Sequence, residues 1–215
     1  MSNHREETMK SFEDYAAECP LVAILRGVKP EDTEAICDAL YDGGVRLLEI
    51  TLNTANAFDC IDRALKHTAG RMLIGAGTVL TPGEVTQVAQ HGGKFIISPN
   101  TDPSVIRRTK ELGLVSMPGF FTPTEAFMAI QAGADYLKCF PAGRMGPGYI
   151  KDLKAVVPKP IFAVGGVDKN NLPQYIPMCA GAGIGSAFFK PGKPLDQIRQ
   201  DTREMVEVWK RTVGK

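Results

Sequence analysis

The strongest constraint on this chain is a recurrence of form: eight short runs rich in β-branched and apolar residues, separated by helix-length stretches at the spacing of a βα unit. The runs are Leu21 to Leu25, Val45 to Leu52, Met72 to Gly75, Lys94 to Ser98, Leu114 to Met117, Tyr136 to Phe140, Pro160 to Val164 and Gly181 to Gly185. One helix is predicted between each pair. Thr81-Pro82-Gly83-Glu84 and Thr122-Pro123-Thr124-Glu125 each set an N-cap threonine before a first-turn proline and a capping-box glutamate, and Asp102-Pro103 opens another helix the same way. Gly43, Gly92, Gly113 and Gly133 stand where a left-handed residue ends a helix. Eight such units predict an α/β fold closed into a (β/α)8 TIM barrel. The rival, an open doubly wound sheet, leaves edge strands and uses fewer parallel units at this length. Ser11-Phe12-Glu13-Asp14 reads as a helix start. Residues 1-19 are therefore expected to form a tail and an extra N-terminal helix from Phe12 to Glu18. Residues 20-215 form a single barrel ending in a long amphipathic helix, Leu195 to Val213.

With 215 residues, 44% of them hydrophobic, the chain has enough for one substantial core. A formal net charge of +1 without a basic block argues against nucleic acid or an anionic membrane surface as partner and leaves a small molecule. The five cysteines (Cys19, Cys37, Cys60, Cys139, Cys179) are odd in number and lack CxxC spacing, which speaks for reduced thiols rather than disulfides or structural zinc. No apolar stretch reaches the length of a membrane span, and the polar start Met1 to Lys10 has no signal-peptide core. The expected location is cytoplasmic.

Charged residues inside apolar runs become informative on this scaffold, because barrel sites lie at the C-terminal ends of the strands. Three fall there: Arg26 after the first run, Glu49 on the second, and Lys138 in Tyr136-Leu137-Lys138-Cys139-Phe140-Pro141 on the sixth. Such a lysine has two readings. It snorkels its ammonium to water, or burial lowers its pKa and leaves a neutral amine able to attack a carbonyl. Convergence with Glu49 and Arg26 at one mouth favours the second reading over a structural ion network. Lys94 and Lys159 stand at strand beginnings and take no role. Gly165-Gly166 after the seventh run, with Gly185 and Ser186 at the exit of the eighth, have the place and composition of a backbone phosphate cradle. Gly75-Ala76-Gly77-Thr78 lacks the third glycine of a dinucleotide fingerprint and reads as a substrate-facing turn presenting Thr78. His4 in the tail, with His67 and His91 near helix ends, offers no ligand set, so neither metal nor cofactor is expected. Phe120 and Phe121 are open between a roof on the pocket and a subunit contact. Phe188 and Phe189 are expected to anchor the last helix, and Arg144 reads as a solvated loop residue.

In order along the chain stand Leu25-Arg26-Gly27, Leu48-Glu49-Ile50-Thr51-Leu52, Gly75-Ala76-Gly77-Thr78-Val79-Leu80, Leu137-Lys138-Cys139-Phe140-Pro141 and Val164-Gly165-Gly166-Val167. On these motifs the chain resembles the bacterial 2-keto-3-deoxy-6-phosphogluconate and -galactonate aldolase family from about Leu21 to Phe189. The resemblance implies a class I, Schiff-base aldolase acting on a small phosphorylated 2-keto-3-deoxy acid. It implies Lys138 as the imine-forming lysine, Glu49 as general acid and base, Thr78 at the pyruvoyl carboxylate and Phe140 beside the substrate. It further implies Gly165-Gly166 and Gly185-Ser186 at the phosphate, and a homotrimer. Asn53, where the gluconate branch has arginine, and Val164, where it has threonine, look like the galactonate branch, as do Asn100 and Arg26-Gly27. Arg26 then supplies the carboxylate-binding cation that position 53 lacks. The branches differ in the configuration of one hydroxyl, at carbon 4, so gluconate or dual specificity stays open. An isomerase and a non-catalytic sugar-phosphate-binding barrel are the alternatives from other classes.

Overall fold

The computed structural model describes residues 10–215; the tail reading for the residues before them, with His4, lies outside the described residues. Helix α1 (Phe12–Glu18) starts at a reciprocal capping box between Ser11 and Asp14. The strands are β1 (Leu21–Leu25), β2 (Leu47–Thr51), β3 (Leu73–Gly77), β4 (Phe95–Ile97), β5 (Val115–Met117), β6 (Gly119–Phe120), β7 (Leu137–Cys139), β8 (Ile161–Val164) and β9 (Gly181–Ile184). Among them run α2 (Thr33–Asp42), α3 (Ala57–Thr68), α4 (Pro82–Gln90), α5 (Pro103–Glu111), α6 (Pro123–Ala132), α7 (Ala142–Leu153) and α8 (Leu172–Tyr175), and α9 (Leu195–Val213) follows β9.

All pairings are parallel, in the order β5-β4-β3-β2-β1-β9-β8-β7-β6. The two ends of that order are halves of one barrel strand, separated only by Pro118. Proline has no N–H for the ladder, which is why the strand is interrupted there. Its carbonyl still serves, accepting the Lys138 N–H at 2.9 Å. The ring is therefore closed, and eight barrel positions are filled by nine segments, as the spacing predicts. No helix among the described residues is long and apolar enough to cross a membrane.

The caps at Thr81, Asp102 and Thr122 form as expected. Gly92, Gly113 and Gly133 take φ of 86°, 70° and 104°. Gly43 does not: its φ is −72°, and the left-handed residue is Gly44 at 106°. Gly43 is small for another reason, since a Cβ there would come within 2.5 Å of Thr202 on α9. A second departure lies between β8 and β9, where α8 is a single turn rather than a full helix. Pro177 lacks the N–H that would continue it.

Alternation along the strands sorts the side chains into two layers. Leu48, Ile50, Leu137, Cys139 and Ala163 pack outward against the helices. Val22, Leu47, Phe95, Tyr136 and Phe162 fill the barrel. Phe12 of α1 joins them from below, its ring centroid 4.8 Å from Tyr136 and 5.6 Å from Phe95, and the Tyr136 hydroxyl donates to Glu13 at 2.6 Å. The extra helix thus seats against the N-terminal end of the barrel.

Candidate active site

Glu49 and Lys138 point inward by the same alternation. Leu47 precedes Glu49 on the barrel face of β2, and Tyr136 and Phe140 flank Lys138 on that of β7. Both charged side chains are withdrawn from water, at 1% and 5% exposure. Neither is ion-paired among the described residues, and Glu49 Oε2 is buried without a hydrogen-bond partner. Burial pushes the Glu49 carboxyl above its ordinary range, with the charges of Lys138 and Arg26 pulling the other way. Burial likewise holds the Lys138 ammonium below its ordinary value, opposed by Glu49 and assisted by Arg26. The carboxylate has room because β3 is glycine beside it: a Cβ on Gly77 would lie 1.5 Å from Glu49 Oε1. Lys138 Nζ stands 5.0 Å from the centroid of the Phe140 ring.

These groups open into a cavity of about 890 Å³ at the C-terminal mouth, walled by Ile24, Phe140, Val164 and Phe189. Arg26 borders it with no carboxylate partner among the described residues. Its loop is held by a threonine relay: Gly27 N–H donates to Thr54 Oγ1 at 2.9 Å, Thr54 and Thr51 hydroxyls lie 3.1 Å apart, and Thr51 donates to the Leu25 carbonyl at 3.3 Å.

At the other side lie two loops with uncommitted backbone donors. Gly165 and Gly166 adopt φ of 88° and 77°, where a side chain is strained. Their carbonyls are engaged, by Gly143 N–H and Asn171 Nδ2, both at 2.8 Å. The Gly166 N–H has no acceptor among the described residues. After β9, the Gly185 carbonyl accepts the N–H of Phe188 and of Phe189, each at 2.9 Å, closing a turn in which the N–H groups of Ser186 and Ala187 are free among the described residues. An anion can be held here without a cationic side chain.

Arg26, Glu49, Lys138, Phe140, Val164, Gly165, Gly166, Gly185 and Ser186 all line this cavity; Asn53 and Thr78 do not. Asn53 is exposed at the tip of the turn closed by Thr54 N–H on the Thr51 carbonyl, at 2.9 Å. Strand β3 runs to Gly77, so alternation assigns Gly75 and Gly77 to the inward row, and Thr78 leaves the strand at φ 56°. Phe120 is neither roof nor subunit contact, being 2% exposed on β6 in the outer core. Phe121 leans on Tyr149 with centroids 6.3 Å apart, away from the cavity. Phe189, expected only to anchor a helix, borders the cavity as well. Ile24 escapes the sequence reading although it shares the inward row of β1, a signal that register supplies. Lys190 carries no such signal, since it lies in a loop without periodicity.

Fold and cavity together define a parallel barrel whose mouth combines a desolvated amine, a desolvated carboxylate and uncommitted backbone N–H groups. The chain belongs to the KDPG and KHG aldolase family, whose model matches residues 12–207. It is 46% identical over 186 residues, 85% of this chain and 88% of the relative, to a probable 2-dehydro-3-deoxy-6-phosphogalactonate aldolase of Rhizobium meliloti (strain 1021). It is 43% identical over 197 residues, 90% of this chain and 96% of the relative, to the 2-dehydro-3-deoxy-6-phosphogalactonate aldolase of Escherichia coli (strain K12). A solved structure described as native KDPGal superposes with a TM-score of 0.89 at 42% identity, covering 91% of this chain and 97% of that one.

Proposed function

We propose that this chain is a class I aldolase cleaving 2-dehydro-3-deoxy-6-phosphogalactonate to pyruvate and D-glyceraldehyde 3-phosphate. The observation that carries the reading is Lys138, 5% exposed and unpaired among the described residues, on the wall of a cavity shared with Glu49. Its neutral amine attacks the ketone of the substrate, and loss of water gives an imine. Glu49 takes the proton of the carbon 4 hydroxyl as the bond between carbons 3 and 4 breaks and its electrons pass to the imine, leaving an enamine. Glyceraldehyde 3-phosphate departs. Glu49 returns the proton to carbon 3, and water hydrolyses the imine to pyruvate and free Lys138. Arg26 receives the carboxylate, and the Gly165-Gly166 and Gly185-Ser186 loops receive the phosphate. Borohydride added with pyruvate is expected to fix one adduct per chain on Lys138; peptide mapping that finds it elsewhere overturns the assignment.

The carbon 4 preference rests on Val164, which lines the cavity and whose Cγ2 would stand 2.9 Å from a Cβ on Gly183. Threonine has the shape of valine and adds a hydroxyl able to bond the epimeric oxygen. Val164→Thr is expected to shift the ratio of kcat/KM by about tenfold towards the gluconate epimer. Parallel kinetics on the two epimers check it, and an unchanged ratio removes Val164 from the specificity argument.

The same proposal includes a cytoplasmic homotrimer. All five cysteines are free thiols, which suits a reducing compartment. On α6, Phe127 and Met128 are 40% and 41% exposed, side by side with Pro123 in a shallow apolar hollow. Light scattering is expected to give a trimer mass for the wild type and a monomer mass for Phe127→Glu/Met128→Glu; a wild-type monomer rejects the assembly.

A further inference from the structure

Lys193 is unusual for its place, with a side chain only 8% exposed although it lies in the connection between β9 and α9. An ammonium has three N–H donors, and three acceptors meet this one. They are the Ala187 carbonyl at 2.6 Å, the Phe188 carbonyl at 2.9 Å and Asp201 Oδ2 at 2.5 Å. Asp201 belongs to α9 and is steadied by Gln197 Nε2 at 2.7 Å. A charge is kept this far from water only when it is fully paired. Two of the partners here are the carbonyls at the far end of the Gly185 turn. The near end of that turn carries the free N–H groups of Ser186 and Ala187 beside the cavity. Lys193 itself does not line that cavity.

We propose that Lys193 is a positioning residue for the substrate phosphate: bound to the Ala187 and Phe188 carbonyls from behind and tied to Asp201 on α9, it fixes the Ser186 and Ala187 N–H groups in the arrangement that receives the dianion. This rests on the aldolase reading and adds to it a group outside every motif that carries the resemblance. The two peptide units whose carbonyls Lys193 binds turn their N–H groups, those of Phe188 and Phe189, onto the Gly185 carbonyl, and that carbonyl shares its peptide unit with the free Ser186 N–H, so the cation fixes the donor through this relay of aligned dipoles.

Lys193→Met keeps the length and removes the charge. KM for the phosphorylated substrate is expected to rise about tenfold, the inhibition constant of inorganic phosphate to rise in parallel, and kcat to change little. The rate of borohydride-trapped imine formation with pyruvate, which carries no phosphate, is expected to stay at the wild-type value. Lys193→Arg should recover most of the phosphate affinity. Should Lys193→Met fold poorly because Asp201 is left unpaired, Lys193→Met/Asp201→Leu relieves that carboxylate, and its melting temperature should recover while phosphate affinity does not. Unchanged phosphate inhibition in both variants overturns the proposal, as does a loss of pyruvate imine formation by the same factor. A wild-type enzyme that traps pyruvate yet ignores inorganic phosphate overturns the cradle and this role together. A wild type that fails to trap pyruvate counts against the aldolase reading instead, and phosphate calorimetry on the same variants still decides the role of Lys193.

Discussion

Lys138→Met is expected to lower aldol cleavage by about 10⁴-fold or more and, at the same time, to raise the melting temperature. Methionine matches the lysine stem in length and leaves the barrel packing intact, so the lost activity reports the amine. The gain in stability comes from the same burial that makes the amine reactive. Desolvation holds the folded pKa of Lys138 below its ordinary 10.5, so between the folded value and 10.5 the unfolded chain binds a proton that the folded chain does not. Stability of the wild type is fully present above pH 10.5, falls as pH drops through the folded pKa, and is level below it. Methionine has no such proton. Its advantage is therefore largest below the folded pKa and vanishes as pH approaches 10.5, at about 2–4 °C of melting temperature per kcal/mol relieved. Calorimetry across pH, alongside turnover and mass spectrometry of the borohydride product, checks both halves. Retained cleavage, or a melting temperature that falls at neutral pH with the fold intact, removes Lys138 from its role.

The barrel is legible in the sequence because two local signals agree: the spacing of the β-rich runs, and caps such as Thr81 with Glu84 and Thr122 with Glu125. Lys138 and Glu49 are legible because a charge inside an apolar run is rare. Pro118 misleads. Locally it terminates a strand, and only the closed ring makes use of its carbonyl and carries the strand on to Phe120. Phe120 therefore reads as a loop residue from sequence and is a core residue in the fold. Gly75 and Gly77 mislead in the opposite sense. They read as a turn, yet their task is to be small: Glu49 is in register with Gly75, and a Cβ on Gly75 would come within 2.4 Å of the Phe95 ring. That need belongs to the neighbouring strands and is invisible along β3 itself. Phe189 and Lys193 lie in a connection with no period, where proximity is set by the turn and by α9.

The carboxylate should behave as the counterpart of the lysine. Glu49→Gln is expected to lower kcat by about 10²–10⁴-fold while leaving Lys138 able to form its imine, because glutamine fills the same space over Gly77 and cannot shuttle a proton. The two steps separate experimentally. Exchange of the pyruvate methyl protons with deuterium from solvent requires enamine formation and should fall by the same factor as kcat; the borohydride adduct should still accumulate on long incubation. Exchange at the wild-type rate would place the proton shuttle elsewhere. The pH dependence has the opposite sign to that of the lysine. Burial raises the folded pKa of Glu49 above its ordinary 4.5, so its contribution to stability is fully present below pH 4.5 and is lost as pH rises through the folded value. Glu49→Gln should gain on the wild type progressively above pH 4.5 and level off once the folded carboxyl is ionised. A raised carboxyl pKa and a lowered amine pKa bring both groups towards the pH at which one must hold a proton and the other must not. On the proposed mechanism, the same two burials that cost the folded barrel stability are what set Lys138 free to attack and Glu49 to carry the proton away.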